Sequence, residues 1–357
     1  MKKIGIVADD IFLRHAVEDC GAVYLMETPK RLAHIYSRIR SNLQPQERYR
    51  MYQPSTEHLN VIQKVHSEFY LKQLCSAEEK NNPFWYSADT YIMRDSFKTA
   101  CLAASSTVQL ADAIMNGEID HGFAIVRPPG HHADQSQAMG YCLLNNAAIA
   151  AMHLLQNRGL SKILILDFDA HHGNGTQQIF YSSNSVMCIS IHEANLFPKN
   201  SGHTVEIGEK SGTGYNINLP VYSSFGDEEY SFIFSGIVEP IVQKYQPEFI
   251  IVSAGYDGHV RECISNLQLS TQWYRDATWK LMQWASKFSQ NRLLLVLEGG
   301  YNPEVLEESI AGTLETLSDP DKEVQAESEH PDNSRTNRAV EWANTTIYPV
   351  LRQCDWL

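Results

Sequence analysis

Residues 163–175 read ILILDFDAHHGNG, an apolar run that ends in two aspartates and two adjacent histidines. The run 162–169 predicts a β-strand, and its lack of polar alternation is typical of a strand buried on both faces of a parallel sheet. Asp167 and Asp169 share one face of an extended chain, and His171 continues that spacing. Because carboxylate and imidazole groups suit Zn²⁺ or another first-row divalent ion, this stretch predicts a metal site at a strand end.

Further short apolar runs accompany this strand, with segments of helical composition between them. The predicted strands are residues 3–8, 122–127, 186–192, 215–221, 248–255 and 292–298, and the predicted helices are residues 96–116, 145–156, 227–245, 271–289 and 303–317. Strands that alternate with helices predict an α/β fold, a mostly parallel multi-stranded sheet flanked by helices on both faces. We expect a single catalytic domain over residues 1–317, a polar loop over 318–338, and a C-terminal segment, 339–357, whose helix packs on the domain.

Composition narrows the class of protein. The chain has 357 residues, a net charge of −13 and 43 % hydrophobic residues. That apolar fraction excludes a disordered polypeptide, and the negative charge argues against nucleic-acid binding by bulk electrostatics. No apolar run approaches the ~20 residues that span a bilayer, and the first residues do not form an export signal. Seven scattered cysteines, none in a Cys-x-x-Cys pair, favour a reducing environment, so we expect a cytoplasmic protein without membrane contact.

Other predicted strand ends carry residues suited to hydrolysis. Residues 250–257 (IIVSAGYD) bring Asp257 just past a glycine, residues 127–133 (RPPGHHA) contain His131 and His132, and residues 297–301 (LEGGY) end in a phenol. An imidazole beside an activated water can move a proton, and a phenol can stabilise an oxyanion. Each motif alone has an ordinary structural explanation as a turn or a solvated loop, so the prediction of a metallohydrolase depends on their occurrence together.

Several motifs together resemble those of the zinc-dependent histone deacetylase family. They are RPPGHH, GYCLLNN (140–146), DFDAHHGNGT, SIH (190–192), AGYD and EGGY, in the family's order and with comparable spacing. The resemblance is to the class II branch, which includes bacterial histone deacetylase-like amidohydrolases and acetylpolyamine amidohydrolases, and it runs from about residue 27 to residue 317. It implies a single arginase-like domain and hydrolysis of N-acetyl amides, typically acetyl-lysine.

The resemblance also implies a role for individual residues. Asp169, His171 and Asp257 would hold Zn²⁺. His132 would act as general base with His131 as its electrostatic partner, and Tyr301 would polarise the scissile carbonyl. The resemblance further implies that Asp167 orients His131 and that Asn174 contacts His132. It implies a substrate tunnel lined by Tyr141 and Phe197, with Gly140 and Gly299 beside the substrate. It also implies two monovalent ions: a structural K⁺ held by Asp167, Asp169, His171, Ser190 and the Ile191 carbonyl, and a second ion near Phe180, Ser183, Val186 and Tyr215.

The substrate is left open by the sequence. Acetyl-lysine in a protein or peptide is the first expectation, and acetylated polyamines and longer acyl-lysines are alternatives. The acidic net charge does not distinguish polyamines from Lys-rich protein tails, because it would attract both. Residues 258–263 (GHVREC) replace the family's usual Asp-Pro turn, and Glu262 there would be a candidate acidic gatekeeper for polyamines. A two-manganese ureohydrolase, or an acetyl-lysine reader without turnover, would have no use for Tyr301. The oligomeric state is also left open.

Overall fold

The computed structural model describes residues 2–17, 25–43, 47–80, 82–319 and 333–357. Its centre is an eight-stranded sheet in which all neighbouring strands run parallel. The strands are β1 (Ile4–Val7), β2 (Tyr49–Tyr52), β5 (His121–Ala124), β6 (Ile163–Asp167), β7 (Val186–Glu193), β8 (Asn216–Val221), β9 (Phe249–Ala254) and β10 (Leu293–Leu297), while β3 (Phe84–Trp85) and β4 (Tyr91–Ile92) form a separate antiparallel pair. The order across the sheet is β2-β1-β5-β10-β9-β6-β7-β8.

The predicted α/β architecture is confirmed. Each of the seven predicted strands overlaps an observed one, and every residue of β6, β9 and β10 is buried. Because successive side chains of a strand point to opposite faces, this burial means that both faces of the sheet are covered there. Strand β2 was not predicted; it is an edge strand whose Arg50 is exposed, so it lacks the continuous apolar pattern of the central strands.

Helices connect the strands and cover the sheet. They are α1 (Lys30–Arg38), α2 (Leu59–Val65), α3 (Glu68–Glu78), α4 (Ser96–Met115), α5 (Asn146–Asn157), α6 (Asn174–Phe180), α7 (Asp227–Phe232), α8 (Glu239–Tyr245), α9 (Thr271–Phe288), α10 (Pro303–Ser318), α11 (Asn333–Trp342) and α12 (Tyr348–Gln353). The predicted helix 227–245 is present as α7 and α8 joined by a π-helical segment, Ile233–Val238. Among the described residues, no helix combines the length and the apolar character that crossing a membrane requires.

Side-chain caps explain where several of these helices begin. The Asn145 carboxamide accepts a hydrogen bond from the backbone N–H of Ala148 at the start of α5, and the Ser270 hydroxyl accepts one from Trp273 at the start of α9. Such caps satisfy backbone donors that have no partner inside the helix. The local sequence therefore fixes the helix starts that follow the loops around the site.

The C-terminal segment differs from expectation. The polar stretch 318–338 was predicted as a loop, but α11 already begins at Asn333, while residues 320–332 lie outside the described residues. Arg335 and Arg338 on this helix both contact the buried carboxylate of Glu229. Arg335 and Arg338 form ion pairs rather than apolar contacts, so the polar composition of residues 333–338 did not indicate a helix. The division into residues 1–317, 318–338 and 339–357 stays a prediction.

Parallel strands bring their carboxyl ends to one edge of the sheet. Strands β5, β10, β9 and β6 are consecutive neighbours in the sheet. The loops that follow them contain, in that order, the tandem histidines, the Gly-Gly-Tyr turn, Asp257, and the Asp-His run. The four motifs that lie far apart in the chain therefore meet at one edge, where ligands of open α/β sheets bind.

Candidate active site

Three predicted metal ligands form one buried cluster. The Nδ1 atom of His171 lies 3.1 Å from Asp169 Oδ1 and 2.8 Å from Asp257 Oδ2. The ligand atoms of the three residues all lie within 4.8 Å of one another, and none of the three residues is more than 6 % exposed. The structure thus brings together residues from β6 and β9 loops that are 86 positions apart.

The cluster fits a divalent cation. Burial lowers the pKa of His171, but the carboxylates of Asp257 and Asp169 outweigh this and raise it to about 10. Two carboxylates held out of water need a positive partner, because an uncompensated buried charge is expensive. Two carboxylate oxygens and one imidazole nitrogen are also a donor set that Zn²⁺ accepts. The residues present therefore fit Zn²⁺ through their chemistry.

Gly299 lies against these carboxylates. Its backbone N–H donates to Asp169 Oδ2 at 2.8 Å, and a Cβ at this position would come within 2.5 Å of Asp257 Oδ2. The opposite oxygen, Asp257 Oδ1, accepts a hydrogen bond from Ala170 N at 2.9 Å. Backbone donors therefore fix the orientation of both carboxylates, which preorganises them as ligands.

The tandem histidines have different partners. His131 Nδ1 lies 3.0 Å from Asp167 Oδ2, and His132 Nδ1 lies 2.7 Å from Asn174 Oδ1, so both predicted pairings are present. The two imidazole centroids are 4.0 Å apart, and both residues are at most 5 % exposed. One histidine is oriented by a carboxylate and its neighbour by a neutral amide.

This difference separates their protonation states. Burial lowers the pKa of His131, but Asp169 and Asp167 outweigh it and raise the value to about 10. Burial holds the pKa of His132 well below its usual value, and the positive charges of His131 and His171 lower it further. The pKa values of the two histidines therefore move in opposite directions, which suits His131 to donate a proton and His132 to accept one.

Glu298, which was not among the predicted site residues, binds the backbone at the start of the tandem histidines. Its Oε2 accepts hydrogen bonds from the backbone N–H groups of Gly130 and His131 at 2.6 and 3.1 Å, and the residue is fully buried. Burial raises the pKa of Glu298 to about 7. The sequence pattern that indicated Asp167 also applies to Glu298, because Glu298 is an acidic residue that directly follows the continuous apolar strand Leu293–Leu297.

Tyr301 is held by residues from two distant segments. Glu262 Oε1 accepts hydrogen bonds from Tyr301 N at 2.8 Å and from Asn302 N at 2.9 Å. The Arg31 guanidinium lies 4.7 Å from the Tyr301 ring centroid and donates to the Gly300 carbonyl at 2.5 Å. Burial raises the pKa of Tyr301 well above its usual value, so its hydroxyl stays protonated and able to donate.

The predicted tunnel residues lie beside Tyr301 and His132. The Tyr141 ring lies 5.8 Å from the Tyr301 ring, and the Phe197 ring packs edge-on 5.1 Å from His132. Gly140 has a positive φ of 52°, and a Cβ there would come within 2.3 Å of the His132 ring. Only glycine fits at this turn, so Gly140 allows the aromatic walls to approach the imidazole.

The residues predicted to bind the two monovalent ions lie on and around strands β6 and β7. Asp167 and Ser190 are register partners on β6 and β7, and the Ser190 hydroxyl lies 2.9 Å from His192 Nδ1. At the second predicted ion, the Phe180 carbonyl accepts a hydrogen bond from Ser183 N at 2.9 Å, and the Tyr215 carbonyl accepts one from Cys188 N at 2.9 Å. Val186 begins β7 nearby. Both ions stay predictions.

Comparison with known proteins agrees with this geometry. Residues 25–317 match the histone deacetylase domain family. A probable deacetylase of Archaeoglobus fulgidus is 37 % identical over 84 % of this chain and 82 % of its own length. The histone deacetylase-like amidohydrolase of Pseudomonas aeruginosa is 31 % identical over 72 % of this chain and 69 % of its own.

A solved structure and the plant relatives extend the comparison. The crystal structure of the HDA15 HD domain superposes with a TM-score of 0.86 and 31 % identity, over 99 % of this chain and 97 % of that one. Histone deacetylase 18 of Arabidopsis thaliana is 31 % identical over 95 % of this chain, but the match spans only 51 % of the plant protein. On the domain match, the archaeal relative and the shared fold, the chain belongs to the histone deacetylase family.

Proposed function

We propose that this protein is a zinc-dependent deacetylase that hydrolyses the N-acetyl amide of acetyl-lysine in proteins or peptides. The observation that carries the proposal is the pair His131 and His132, one against the Asp167 carboxylate and the other against the Asn174 amide, lying side by side next to the Asp169, His171 and Asp257 cluster. A proton donor, a proton acceptor and a cation site at one edge of the sheet are the parts that hydrolysis of an amide needs.

The residues divide the reaction between them. Bound by Asp169, His171 and Asp257, Zn²⁺ would supply a Lewis acid that polarises the amide carbonyl and favours deprotonation of water. Neutral His132 accepts a proton from the water that attacks the carbonyl carbon, and Asn174 holds its ring in place. The Tyr301 hydroxyl donates to the oxyanion that forms. As the carbon–nitrogen bond breaks, the tandem pair returns a proton to the leaving amine, which gives acetate and free lysine.

The tunnel residues suit the alkyl stem of an acetyl-lysine side chain. Tyr141 and Phe197 offer aromatic faces beside Tyr301 and His132, and the 38 % exposure of Phe197 supports a position at the mouth of the tunnel. The four methylenes of lysine would bury apolar area against such walls. Glu262, the candidate gatekeeper for polyamines, is instead turned towards the backbone of Tyr301 and Asn302. This orientation favours acetyl-lysine over an acetylated polyamine, while a longer acyl group stays an alternative.

The proposal includes a structural K⁺ beside the zinc cluster and a cytoplasmic location. The parallel register that places Asp167 opposite Ser190 supports the first ion. All the cysteines in the described part of the chain are free thiols, which agrees with a reducing compartment. We propose neither a nucleic acid nor a membrane as a binding partner.

The decisive measurement compares two substrates on the zinc-loaded protein. We expect kcat/KM for an acetyl-lysine peptide to exceed that for N-acetylputrescine by at least ~100-fold, about 2.7 kcal/mol of differential transition-state binding. The carboxylate product is measured for each substrate: acetate from the two acetylated compounds, and myristate from a myristoyl-lysine peptide as the third substrate. A reversed preference would identify a polyamine deacetylase, and activity on the long acyl chain alone would identify a deacylase. Release from none of the three would contradict the proposal.

Substitution of Glu262 gives a second test of the proposed mechanism, because Glu262 positions the backbone of Tyr301. Glu262→Ala removes the acceptor for two backbone N–H groups, so we expect kcat to fall by roughly 10-fold or more while KM changes little. Glu262→Gln keeps a carbonyl oxygen at that position and should retain most of kcat. If instead Glu262 recognises a cationic substrate, both variants will raise KM for N-acetylputrescine and leave kcat unchanged. Zinc content and thermal unfolding serve as controls for folding.

A further inference from the structure

A second cluster of metal-ligating side chains lies in the helical layer. His58 directly precedes α2, Asp112 lies in α4, and His153 lies in α5. One ligand atom from each of the three residues lies within 4.8 Å of the other two. Three helices that are distant in the chain therefore bring two imidazoles and one carboxylate to one point.

This cluster is remote from the candidate active site. Asp112 lies one turn before the end of α4, and residues 116–120 join α4 to β5. Because a helix that connects parallel strands runs antiparallel to them, its last turn lies towards the amino edge of the sheet. The candidate active site is at the carboxyl edge. A ligand of the second cluster would therefore not share residues with the first.

Within the described part of the chain, hydrogen bonds account for only one side of the Asp112 carboxylate. Oδ1 lies 2.8 Å from His153 Nε2 and 3.3 Å from Arg158 Nε. Oδ2 faces His58 Nε2 at 3.7 Å, which is longer than a hydrogen bond. A tetrahedral ion with ligand bonds of about 2.1 Å holds its ligands about 3.4 Å apart, so the Oδ2–Nε2 spacing is closer to that of two ligands of one ion.

The surroundings permit entry of an ion. The side chains of His58 and Asp112 are 17 % and 20 % exposed, so the cluster opens to solvent on one side. The side chain of His58 makes no capping hydrogen bond to α2, and its ring contacts the His153 ring edge-on at 5.2 Å between centroids. His153 is 4 % exposed and forms the inner side of the cluster. One buried ligand and two partly exposed ligands allow an ion to reach the cluster from solvent.

Arg158 lies beside the cluster, and its positive charge opposes the binding of a cation there. Its Nε lies 3.3 Å from Asp112 Oδ1, so its positive charge lies next to the carboxylate that would bind the ion. The guanidinium lies on the Oδ1 side, whereas His58 is on the Oδ2 side. It therefore weakens binding without blocking the ligand positions.

We propose that His58, Asp112 and His153 form a second metal site, which binds a first-row divalent transition metal and joins α2, α4 and α5. Two imidazoles select such a metal over Mg²⁺ or Ca²⁺, which prefer oxygen ligands. An ion that binds only the folded chain stabilises it by mass action, so occupancy raises the unfolding temperature. This site does not depend on the proposed deacetylase activity.

The test is metal stoichiometry of the full chain. Protein already loaded with one Zn²⁺ is dialysed against buffers of rising free Zn²⁺ up to about 100 μM, and bound metal is counted by mass spectrometry. We expect a second equivalent to bind and the unfolding temperature to rise with it. His58→Ala and Asp112→Asn should each weaken this second binding by at least ~10-fold, and a millimolar excess of Mg²⁺ should not displace it.

Matched variants separate this site from other histidines and from the active site. His34→Ala removes an exposed histidine elsewhere and should leave the second equivalent intact. Arg158→Gln should tighten binding several-fold, a gain that a merely structural cluster would not show. Asp257→Asn should weaken binding of the first equivalent and leave the affinity for the second unchanged. A single equivalent throughout the titration, or a second one that survives His58→Ala, would overturn the assignment.

Discussion

Asp257→Asn is expected to lower the affinity for Zn²⁺ by at least ~100-fold and to abolish acetate release at nanomolar free zinc. The reason is charge, because the substitution keeps the shape of the side chain but removes one of the two carboxylates that neutralise the ion. Asp257 is fully buried and lies 2.8 Å from His171, so water cannot replace the lost charge. The measurement is bound metal after dialysis at fixed free zinc, followed by turnover of the acetyl-lysine peptide.

Asp355→Asn is the matched control. Its carboxylate is 97 % exposed and pairs only with Lys244 among the ion pairs of the described residues, so metal content and turnover should equal those of the wild type. Turnover by Asp257→Asn should return in part when free zinc is raised, because the remaining ligands still bind weakly. Full activity of this variant without bound metal would refute zinc-dependent hydrolysis.

Tyr301→Phe is expected to lower kcat by roughly 10²–10³-fold and to change KM little. The substitution removes one hydroxyl that we place against the developing oxyanion, an interaction stronger in the transition state than in the ground state. The ring itself stays between Arg31 and Tyr141, so the unfolding temperature should be unchanged. Steady-state kinetics on the acetyl-lysine peptide provide the measurement.

Tyr141→Phe tests whether the effect is specific. This phenol lines the same tunnel with its ring 5.8 Å from Tyr301, but it has no part in the proposed chemistry. Its loss should change kcat/KM by only a few-fold. Equal, small effects in both variants would show that Tyr301 is a wall residue and that the oxyanion is stabilised elsewhere.

The central strands were predictable because of where they lie. Residues Ile163–Asp167 and Leu293–Leu297 are buried at every position, so burial on both faces produced unbroken apolar runs. Edge strand β2 (Tyr49–Tyr52) is half solvated and carries an exposed arginine, so the same rule missed it. Helix α11 was missed for a related reason, since Arg335 and Arg338 serve an ion pair with Glu229 rather than the core.

The site residues were predictable to the extent that they follow strands. Asp169, Asp257 and Tyr301 come just after continuous apolar runs, and parallel topology alone brings such positions to one edge. Glu298 satisfied the same pattern and was overlooked. Glu262 was only a candidate gatekeeper from the sequence, and its contact with the Tyr301 and Asn302 backbone N–H groups depends on the tertiary fold, which brings together segments about 40 residues apart.

By itself, the sequence determined the α/β class, the positions of the chemical groups along the chain and the family motifs, because these depend on local patterns of burial and spacing. Only the tertiary structure decided how neighbouring groups differ. His131 and His132 are adjacent in the chain, yet one lies against carboxylates and the other against the Asn174 amide, so their pKa values move in opposite directions. Likewise, His58, Asp112 and His153 converge only because three helices pack together. Electrostatic interactions act through space over a few ångströms, and distance along the chain does not encode them.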